Sequence, residues 1–258
     1  MAERRAQVQT SSAFMRLEPD ARAEGSNELL FGEQVDILEA PPENADGVGW
    51  VKARSLTDGY EGYIRADSLS DRVTEATHRL KMLRSHIYPA PDFKAPPLMA
   101  LSFLSPVTLS KEHENGFTLT EHGGWVFAAH FADAAERAPA PDPAETALRF
   151  EGVPYLWGGR TSAGLDCSAL AQLCAMAAGH PCLRDSSQQQ DTLGEDFRHA
   201  TLQRGDFVFF KGHVGIMLDG ERVINATARH MTTCIENCED VAEAYGGIVA
   251  VRRLTPQA

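Results

Sequence analysis

The first half of the chain alternates apolar and polar residues over short runs that end at turn-forming residues. Such runs begin near Asn27 and include residues 35–38, 49–53 and 62–64, with Gly, Pro, Asn or Asp between them. A period of two predicts strands that bury one face, and several short strands with frequent turns favour a small barrel. We therefore expect a first β-domain within residues 1–75.

A second stretch, residues 76–137, has the same character. Its alternating runs are residues 86–88, 107–110, 117–120 and 124–127. Both stretches place a Gly-Trp-Val step after a turn, at residues 49–51 and 124–126, which indicates an internal repeat. Together the two stretches resemble a pair of bacterial SH3-like barrels.

Further along, the periodicity changes to that of a helix. Asp166 is a suitable N-cap, residues 168–178 carry apolar side chains on one face, and Gly179 is a suitable end. This places Cys167 in the first helical turn, where unpaired N–H groups and the helix dipole favour an anion. Cys167 is therefore a candidate thiolate nucleophile, although on composition alone a cysteine is more often a small buried apolar residue.

A thiol nucleophile needs a base, and the base needs a polar group that orients it. His213 and Asn225 fill these roles if they share one face of a hairpin formed by residues 213–218 and 222–227. A two-residue loop would put them on opposite faces. We therefore predict a three-residue loop of residues 218–220, with left-handed Gly220 and with Met217 opposite Glu221.

Three motifs in order carry a family resemblance: residues 152–159, rich in Gly and aromatic residues, residues 202–210, and residues 212–216. With Cys167, they resemble the NlpC-type cysteine peptidase superfamily over residues 142–254. The resemblance implies a papain-like core with Cys167 as nucleophile, His213 as general base and acid, and Asn225 as the orienting residue. Many members of the superfamily carry histidine at that third position, but an amide oxygen can also accept the imidazole N–H.

Residues 138–143 are rich in proline and read as a linker, after which Asp142 and Pro143 mark a helix start. The predicted organisation is an N-terminal segment with a first SH3-like barrel (1–75), a second barrel (76–137) and a peptidase domain (138–258). The predicted fold class is thus α+β, a papain-like cysteine peptidase core preceded by two small SH3-like β-barrels.

Two such barrels before this core resemble the dipeptidyl-peptidase VI-like branch, the γ-D-glutamyl-L-diamino acid endopeptidases. The branch implies cleavage after γ-D-glutamate in small murein peptides whose N-terminal L-Ala is free, as in the recycling of cell-wall fragments. It also implies a set of substrate-binding residues, which here are Asp185, Ser168, Tyr155, Tyr60, Glu33 and Glu61. Tyr60 is the first choice in the barrel, Glu33 a possible acidic partner and Glu61 its competitor.

Other interpretations remain for these residues and for the function. Asp185 could simply cap a helix over residues 186–193, and the barrel residues could be an ordinary turn tyrosine and solvated glutamates. The same Cys-His core could serve an acyltransferase or amidase that does not depend on a free peptide amine. A non-catalytic wall-binding protein is the third class, and intact Cys167, His213 and Asn225 argue against it.

Composition limits the partners. The chain has 258 residues, 43% of them hydrophobic, and a formal net charge of −12, which disfavours nucleic acid and an anionic membrane surface as partners. Five cysteines do not form a disulfide framework, and no apolar leader follows the polar start, so we expect a cytoplasmic enzyme. His230, Cys234 and Cys238 would share a helical face, but paired zinc spacing is missing; we expect no metal and no cofactor.

Overall fold

The computed structural model describes residues 4–39, 49–134, 142–197 and 201–255. The chain divides into two compact units, residues 1–136 and 137–258. Residues 138–141 of the linker predicted at residues 138–143 lie outside the described residues, as does the predicted boundary between the second barrel and the peptidase domain.

The first barrel is one antiparallel sheet of short strands. The strands are β1 (Arg4–Val8), β2 (Ser12–Arg16), β3 (Gly25–Leu30), β4 (Gln34–Glu39), β5 (Trp50–Ser55), β6 (Glu61–Arg65) and β7 (Leu69–Ser70), in the order β3-β2-β6-β5-β4-β1-β7. Two strands precede Asn27, where the β-pattern was expected to start. They bury Ala6, Val8, Ala13 and Met15 in the barrel core, so residues 4–16 are part of the barrel.

The second β-rich region of the same unit is built from smaller sheets. Its strands are β8 (His78–Leu80), β9 (Arg84–Ile87), β10 (Met99–Ser102), β11 (Pro106–Val107), β12 (Leu109–Glu114), β13 (Phe117–Thr120), β14 (Trp125–Phe127) and β15 (Phe131–Asp133). Leu80, Ile87, Leu101 and Val126 lie in its core. Phe31, from the turn after β3, is buried in the same core.

The two β-regions share a repeat, but its register differs from the expected one. Strand β6 leads into a 3-10 turn at Ala66–Ser68, and β14 leads into one at Ala128–His130. Residues 62–64 (Gly-Tyr-Ile) are therefore the counterpart of residues 124–126 (Gly-Trp-Val). Trp50 lies one strand earlier, so the predicted equivalence of the two Gly-Trp-Val steps is wrong.

The second unit combines helices with a six-stranded antiparallel sheet, and the predicted α+β class is confirmed. Its elements are α1 (Pro143–Leu148), β16 (Arg160–Thr161), β17 (Gly164–Leu165), α2 (Cys167–Ala177), α3 (Ser186–Thr192), β18 (Glu195–Asp196), β19 (Phe207–Phe210), β20 (His213–Met217), β21 (Arg222–Thr227), β22 (Thr232–Asn237), α4 (Cys238–Tyr245) and β23 (Ile248–Arg253). The sheet order is β18-β23-β19-β20-β21-β22, and α2 packs against β20 and β21. None of the helices in the described ranges is long and apolar enough to cross a bilayer.

In the hairpin of β20 and β21, His213 and Asn225 lie on the same face of the sheet, as predicted, but the two strands pair in a different register. Met217 pairs with Val223 rather than with Glu221, and the loop consists of residues 219–221. The pairing has moved by two residues along β21. Because side chains alternate with a period of two, His213 and Asn225 stay on one face of the sheet.

Asp219 explains why the loop lies one residue later than predicted. Its carboxylate accepts the N–H groups of Glu221 and Arg222 at 2.9 and 2.7 Å, which is the hydrogen bonding of an Asx turn. Gly220 does not adopt a positive φ, so the predicted left-handed bulge is wrong. The side chain of Asp219 provides the turn that a left-handed glycine was expected to provide.

Candidate active site

Cys167 is the first residue of α2, and Asp166 is the N-cap, as predicted. The Asp166 carboxylate accepts the N–H of Ala169 at 2.8 Å, which satisfies one of the unpaired donors at the helix start. The Cys167 side chain is buried, which raises the pKa of its thiol, and the backbone of Val214, the residue that follows His213, acts in the opposite direction. The helix start and strand β20 therefore meet at the sulfur.

Asp166 also joins the helix start to the loop before it. It accepts the N–H of Gly158 at 2.9 Å and pairs with the Arg184 guanidinium at 2.6 and 2.9 Å. Arg184 further donates to the Ser168 hydroxyl at 2.7 Å. The side chains of Arg184 and Asp166 are only 2% and 8% exposed, so this ion pair is inside the domain. It fixes the backbone on both sides of Cys167.

His213 and Asn225 are hydrogen-bonded, as the candidate triad requires. The distance from His213 Nε2 to Asn225 Oδ1 is 2.9 Å, and both side chains are buried. Since the amide oxygen can only accept, Nε2 of His213 carries the proton and Nδ1 is left as the basic nitrogen. The ring of Tyr245 stacks on the imidazole, with centroids 4.3 Å apart and planes 6° from parallel.

Burial sets the protonation states of this pair. Desolvation, followed by the nearby Asp166 carboxylate, raises the pKa of the Cys167 thiol to about 12. Desolvation also lowers the pKa of His213, against the opposing effect of the hydrogen bond with Asn225. Both shifts favour the neutral forms of the thiol and of the imidazole. The thiolate expected from the helix start alone is therefore not the resting state, and the proton must move to His213 during the reaction.

Glu236 lies behind Asn225, on the neighbouring strand β22. The Asn225 amide donates through Nδ2 to Glu236 Oε2 at 3.0 Å and to the carbonyl of Cys234 at 3.4 Å. The other carboxylate oxygen of Glu236 accepts from His230 at 3.2 Å and faces Arg229 at 3.4 Å. A line of polar groups thus runs from His213 through Asn225 to a carboxylate.

The metal hypothesis based on a helical face is wrong. His230 precedes β22, Cys234 is within that strand, and Cys238 begins α4, so the three do not share a helix. The structure instead brings a ring nitrogen of His230, the sulfur of Cys234 and a carboxylate oxygen of Glu236 to within 4.8 Å of one another. All five cysteines, which lie in the described ranges, are free thiols.

Two of the predicted substrate-binding residues, Ser168 and Tyr155, lie beside the nucleophile. Ser168 follows it in α2, and its hydroxyl is held by Arg184 and Asp166. Tyr155 is half-buried, and burial raises the pKa of its phenol, with Cys167 and Asp166 as the next contributors. Contact of either residue with substrate stays a prediction.

Asp185 is the N-cap of α3, and the Gln188 side chain accepts its backbone N–H at 3.4 Å. The simple alternative of a helix cap is therefore confirmed for this residue. The cap leaves Asp185 partly exposed, so its proposed role in holding a substrate amine stays a prediction.

The three predicted residues of the first barrel differ in their surroundings. Glu33 is 5% exposed, and its carboxylate accepts the N–H of Leu30 at 2.9 Å and the hydroxyl of Thr57 at 3.1 Å, so it stabilises its own turn. Glu61 is exposed and pairs with Arg54 at 2.7 Å. Tyr60 is partly buried against the barrel core. Their contribution to substrate binding stays a prediction.

Sequence reasoning missed four residues that shape the site: Arg184, Gly215, Glu236 and Tyr245. Gly215 follows the histidine on the same face, and a Cβ there would lie 2.5 Å from Val223 Cγ2 and 3.3 Å from Asn225 Cβ. The alternation of residues 232–237 could have predicted β22, which places Cys234 and Glu236 on one face. Neither Arg184 nor Tyr245 carries a local signal, because each meets the site only through tertiary packing.

Comparisons with known proteins find two domain families in this chain. Residues 152–247 match the model of the NlpC/P60 family, and residues 15–69 match the bacterial dipeptidyl-peptidase Sh3 domain. The chain contains an NlpC/P60 domain preceded by a bacterial dipeptidyl-peptidase SH3 domain. The predicted family resemblance is confirmed, and the NlpC/P60 match includes Cys167, His213 and Asn225.

Two curated relatives extend over most of the chain. Dipeptidyl-peptidase 6 of Lysinibacillus sphaericus is 25% identical over 83% of this chain and 84% of its own length. Gamma-D-glutamyl-L-lysine dipeptidyl-peptidase of Bacillus subtilis (strain 168) is 27% identical over 77% of this chain and 71% of its own length. Both alignments are long enough to include SH3-like and NlpC/P60 regions together.

A solved structure shows the same fold over nearly the whole chain. It is an NlpC/P60 family protein from Bacillus cereus ATCC 10987, with a TM-score of 0.81 and 19% sequence identity. It covers 98% of this chain and 100% of its own. The fold of this chain is thus found in a solved NlpC/P60 family protein.

Proposed function

We propose that the chain hydrolyses the bond between γ-D-glutamate and the diamino acid in peptides derived from peptidoglycan. It is a cysteine peptidase of the NlpC/P60 type, and relatives that align with most of it are named dipeptidyl-peptidase 6 and gamma-D-glutamyl-L-lysine dipeptidyl-peptidase. The single observation that carries the proposal is the hydrogen bond between His213 and Asn225 on the strands packed against the helix that begins with Cys167.

The reaction follows from the protonation states of the site. Nδ1 of His213 takes the proton from Cys167 as the sulfur attacks the γ-glutamyl carbonyl carbon. The backbone N–H of Cys167, at the helix start, donates to the oxygen that becomes negative. The imidazolium then protonates the leaving amine of the diamino acid. Water, deprotonated by the same imidazole, hydrolyses the thioester and releases the dipeptide.

Asn225 acts on the imidazolium rather than on the substrate. Its amide oxygen accepts the Nε2 proton and keeps Nδ1 available for the sulfur. Because the resting pair is neutral, the developing positive charge on His213 must be stabilised during the proton transfer. Asn225 supplies part of that stabilisation without itself changing protonation state.

We further propose that the substrate carries a free N-terminal L-Ala and that the enzyme recycles murein peptides in the cytoplasm. Asp185, partly exposed at the start of α3, is the proposed anion for the ammonium, with Ser168 and Tyr155 beside the nucleophile. An odd number of cysteines suits a reducing compartment. Microscopy of the chromosomally tagged protein, with fractionation, tests the location; a periplasmic or extracellular pool would contradict it.

The function is tested by digestion of L-Ala-γ-D-Glu-meso-diaminopimelate and its L-lysine analogue, with products identified by mass spectrometry. We expect release of L-Ala-γ-D-Glu by the wild type and none by Cys167→Ala. Cys174→Ala is the matched control, since Cys174 is a buried thiol in the same helix. The N-acetylated peptides should resist cleavage. Equal cleavage of blocked and free peptides would contradict the amine requirement, and loss of activity in neither cysteine variant would contradict the thiol mechanism.

A further inference from the structure

The orientation of the Asn225 amide decides whether it can serve His213. An amide has nearly the same shape in its two flipped forms, but only the form with Oδ1 toward the imidazole can accept a proton from Nε2. On the opposite side, Nδ2 faces two acceptors, Glu236 Oε2 at 3.0 Å and the Cys234 carbonyl at 3.4 Å. A flipped amide would place its oxygen against both of them. The surroundings therefore select the catalytic orientation.

Glu236 is itself held in place. Its side chain is 12% exposed, and Oε1 is close to the His230 ring at 3.2 Å and to the Arg229 guanidinium at 3.4 Å. The Cys234 thiol lies 3.6 Å from Oε2. The carboxylate behind Asn225 is thus held in a fixed position by neighbours on both of its oxygens.

We propose that Glu236 is a positioning residue of the peptidase: it orients and polarises the Asn225 amide, so that the site is a line of four groups, Cys167, His213, Asn225 and Glu236. This inference rests on the proposed function of the triad. It also gives a reason why an amide suffices at the third position, because Glu236, which is hydrogen-bonded to that amide, supplies the negative charge that the amide lacks.

The charge of Glu236 acts during proton transfer. A hydrogen bond to a carboxylate is stronger than one to a neutral acceptor, and it increases the negative character of the amide oxygen at the far end. That oxygen faces the imidazolium that forms when Cys167 loses its proton. Glu236 raises the pKa of His213 and Arg229 lowers it, in a site where Tyr245 stacks on the ring. Removing the negative charge therefore makes the imidazolium harder to form.

The first test compares Glu236→Gln with Glu239→Gln, an identical change at an exposed position at the start of α4. In the dipeptide-release assay, with a chelator present throughout, we expect Glu236→Gln to lower kcat about tenfold with KM within about twofold. The acid limb of the pH profile should move to lower pH, since His213 loses a stabilising charge. Glu239→Gln should match the wild type.

A double-mutant cycle tests whether Glu236 acts through Asn225. In the Asn225→Ala background, Glu236→Gln should cause almost no further loss of kcat, because its intermediary is gone. Equal losses in both backgrounds would overturn the proposal. A Glu236→Gln variant with the kcat and the acid limb of the wild type would also overturn it. The same holds if near-ultraviolet circular dichroism shows that the fraction of activity lost equals the fraction of protein unfolded.

A substrate-free readout separates this inference from the proposed function. The rate at which iodoacetamide alkylates Cys167, measured by peptide mass spectrometry against pH, reports proton transfer from the thiol alone. We expect Glu236→Gln to slow it about tenfold and Glu239→Gln to leave it unchanged. Slowed alkylation in a protein that cleaves no γ-D-glutamyl peptide would contradict the function and support the inference. If Glu236→Gln is alkylated at the wild-type rate while the wild type cleaves the peptide normally, the inference is contradicted and the proposed function is supported.

Discussion

The two compact units use their charged side chains in different ways. In the barrel unit, Arg4 pairs with Asp71 and Arg54 with Glu61, and each of these side chains is at least 41% exposed. In the peptidase unit, the pair of Arg184 and Asp166 is almost fully buried. Exposed pairs stabilise a protein by about 0.2–1 kcal/mol, whereas removing one partner of a buried pair costs about 3–5 kcal/mol. The pair of Arg184 and Asp166 thus fixes geometry inside the peptidase unit, whereas these two pairs of the barrel unit lie at the surface.

The largest expected effect comes from breaking the buried pair. Arg184→Met leaves the Asp166 carboxylate buried without its cation, and we expect the free energy of unfolding to fall by about 3–5 kcal/mol. Arg54→Met makes the same chemical change at the surface, and we expect a loss of less than about 1 kcal/mol. Urea denaturation of both variants measures the difference. Equal losses would show that burial does not distinguish the two pairs.

Gly215→Ala should give the next largest effect. The new methyl group would lie 2.5 Å from Val223 Cγ2 and 3.3 Å from Asn225 Cβ, so the strands must shift at the cost of about 1–3 kcal/mol. We also expect kcat to fall, because Asn225 moves relative to His213. Gly220→Ala is the control in the same hairpin, where the nearest atom is at an ordinary 3.5 Å. A Gly215 variant with normal kcat would contradict the close packing at Asn225.

The neutral resting pair predicts the pH profile of kcat/KM. Activity requires an unprotonated His213, whose pKa burial lowers from 6.5, so the acid limb should have its midpoint below pH 6.5. The pKa of Cys167 is raised to about 12, so activity should not decline through pH 9. Initial rates over a pH series, corrected for enzyme stability, measure both limbs. An alkaline decline centred below pH 9 would instead indicate a resting thiolate and imidazolium.

The smallest effect is expected at Glu61. Its carboxylate already pairs with Arg54 at the surface, so Glu61→Gln should change the free energy of unfolding by less than about 1 kcal/mol and KM by less than about twofold. Glu33→Gln should be more harmful to stability, since Glu33 is a buried acceptor for Leu30 and Thr57. A large rise in KM for Glu61→Gln alone would identify a substrate contact in the barrel.

Local rules predicted much of the site from the sequence. The cap by Asp166 and the position of Cys167 in the first turn follow from neighbouring residues, and the structure has both. The sequence predicted that His213 and Asn225 share one face of the sheet. That prediction depends only on whether the hairpin loop has an odd or an even number of residues. The register itself was not predicted, because Asp219 forms a turn through its side chain that competes with the glycine turn.

Contacts between residues that are distant in sequence were not predicted. Arg184 reaches Asp166 from a loop between two helices, and Glu236 reaches Asn225 from the next strand. The contact of Arg184 leaves no periodic pattern in the sequence, and the alternation of residues 232–237 indicates a strand but not which strand lies next to it. The raised pKa of Cys167 was not predicted either. The helix start favours a thiolate, but burial outweighs this effect, and burial is determined by the fold.

Phe31 couples the two β-regions of the first unit energetically. Its side chain comes from the turn after β3 but is buried in the core of the second region, and the next residue, Gly32, is so close to the carbonyl of Pro106 that any side chain there would collide with it. A chain cut after residue 75 would remove Phe31 from that core and expose the surface it covers. The two β-regions should therefore melt together in a single cooperative transition, as one thermodynamic domain.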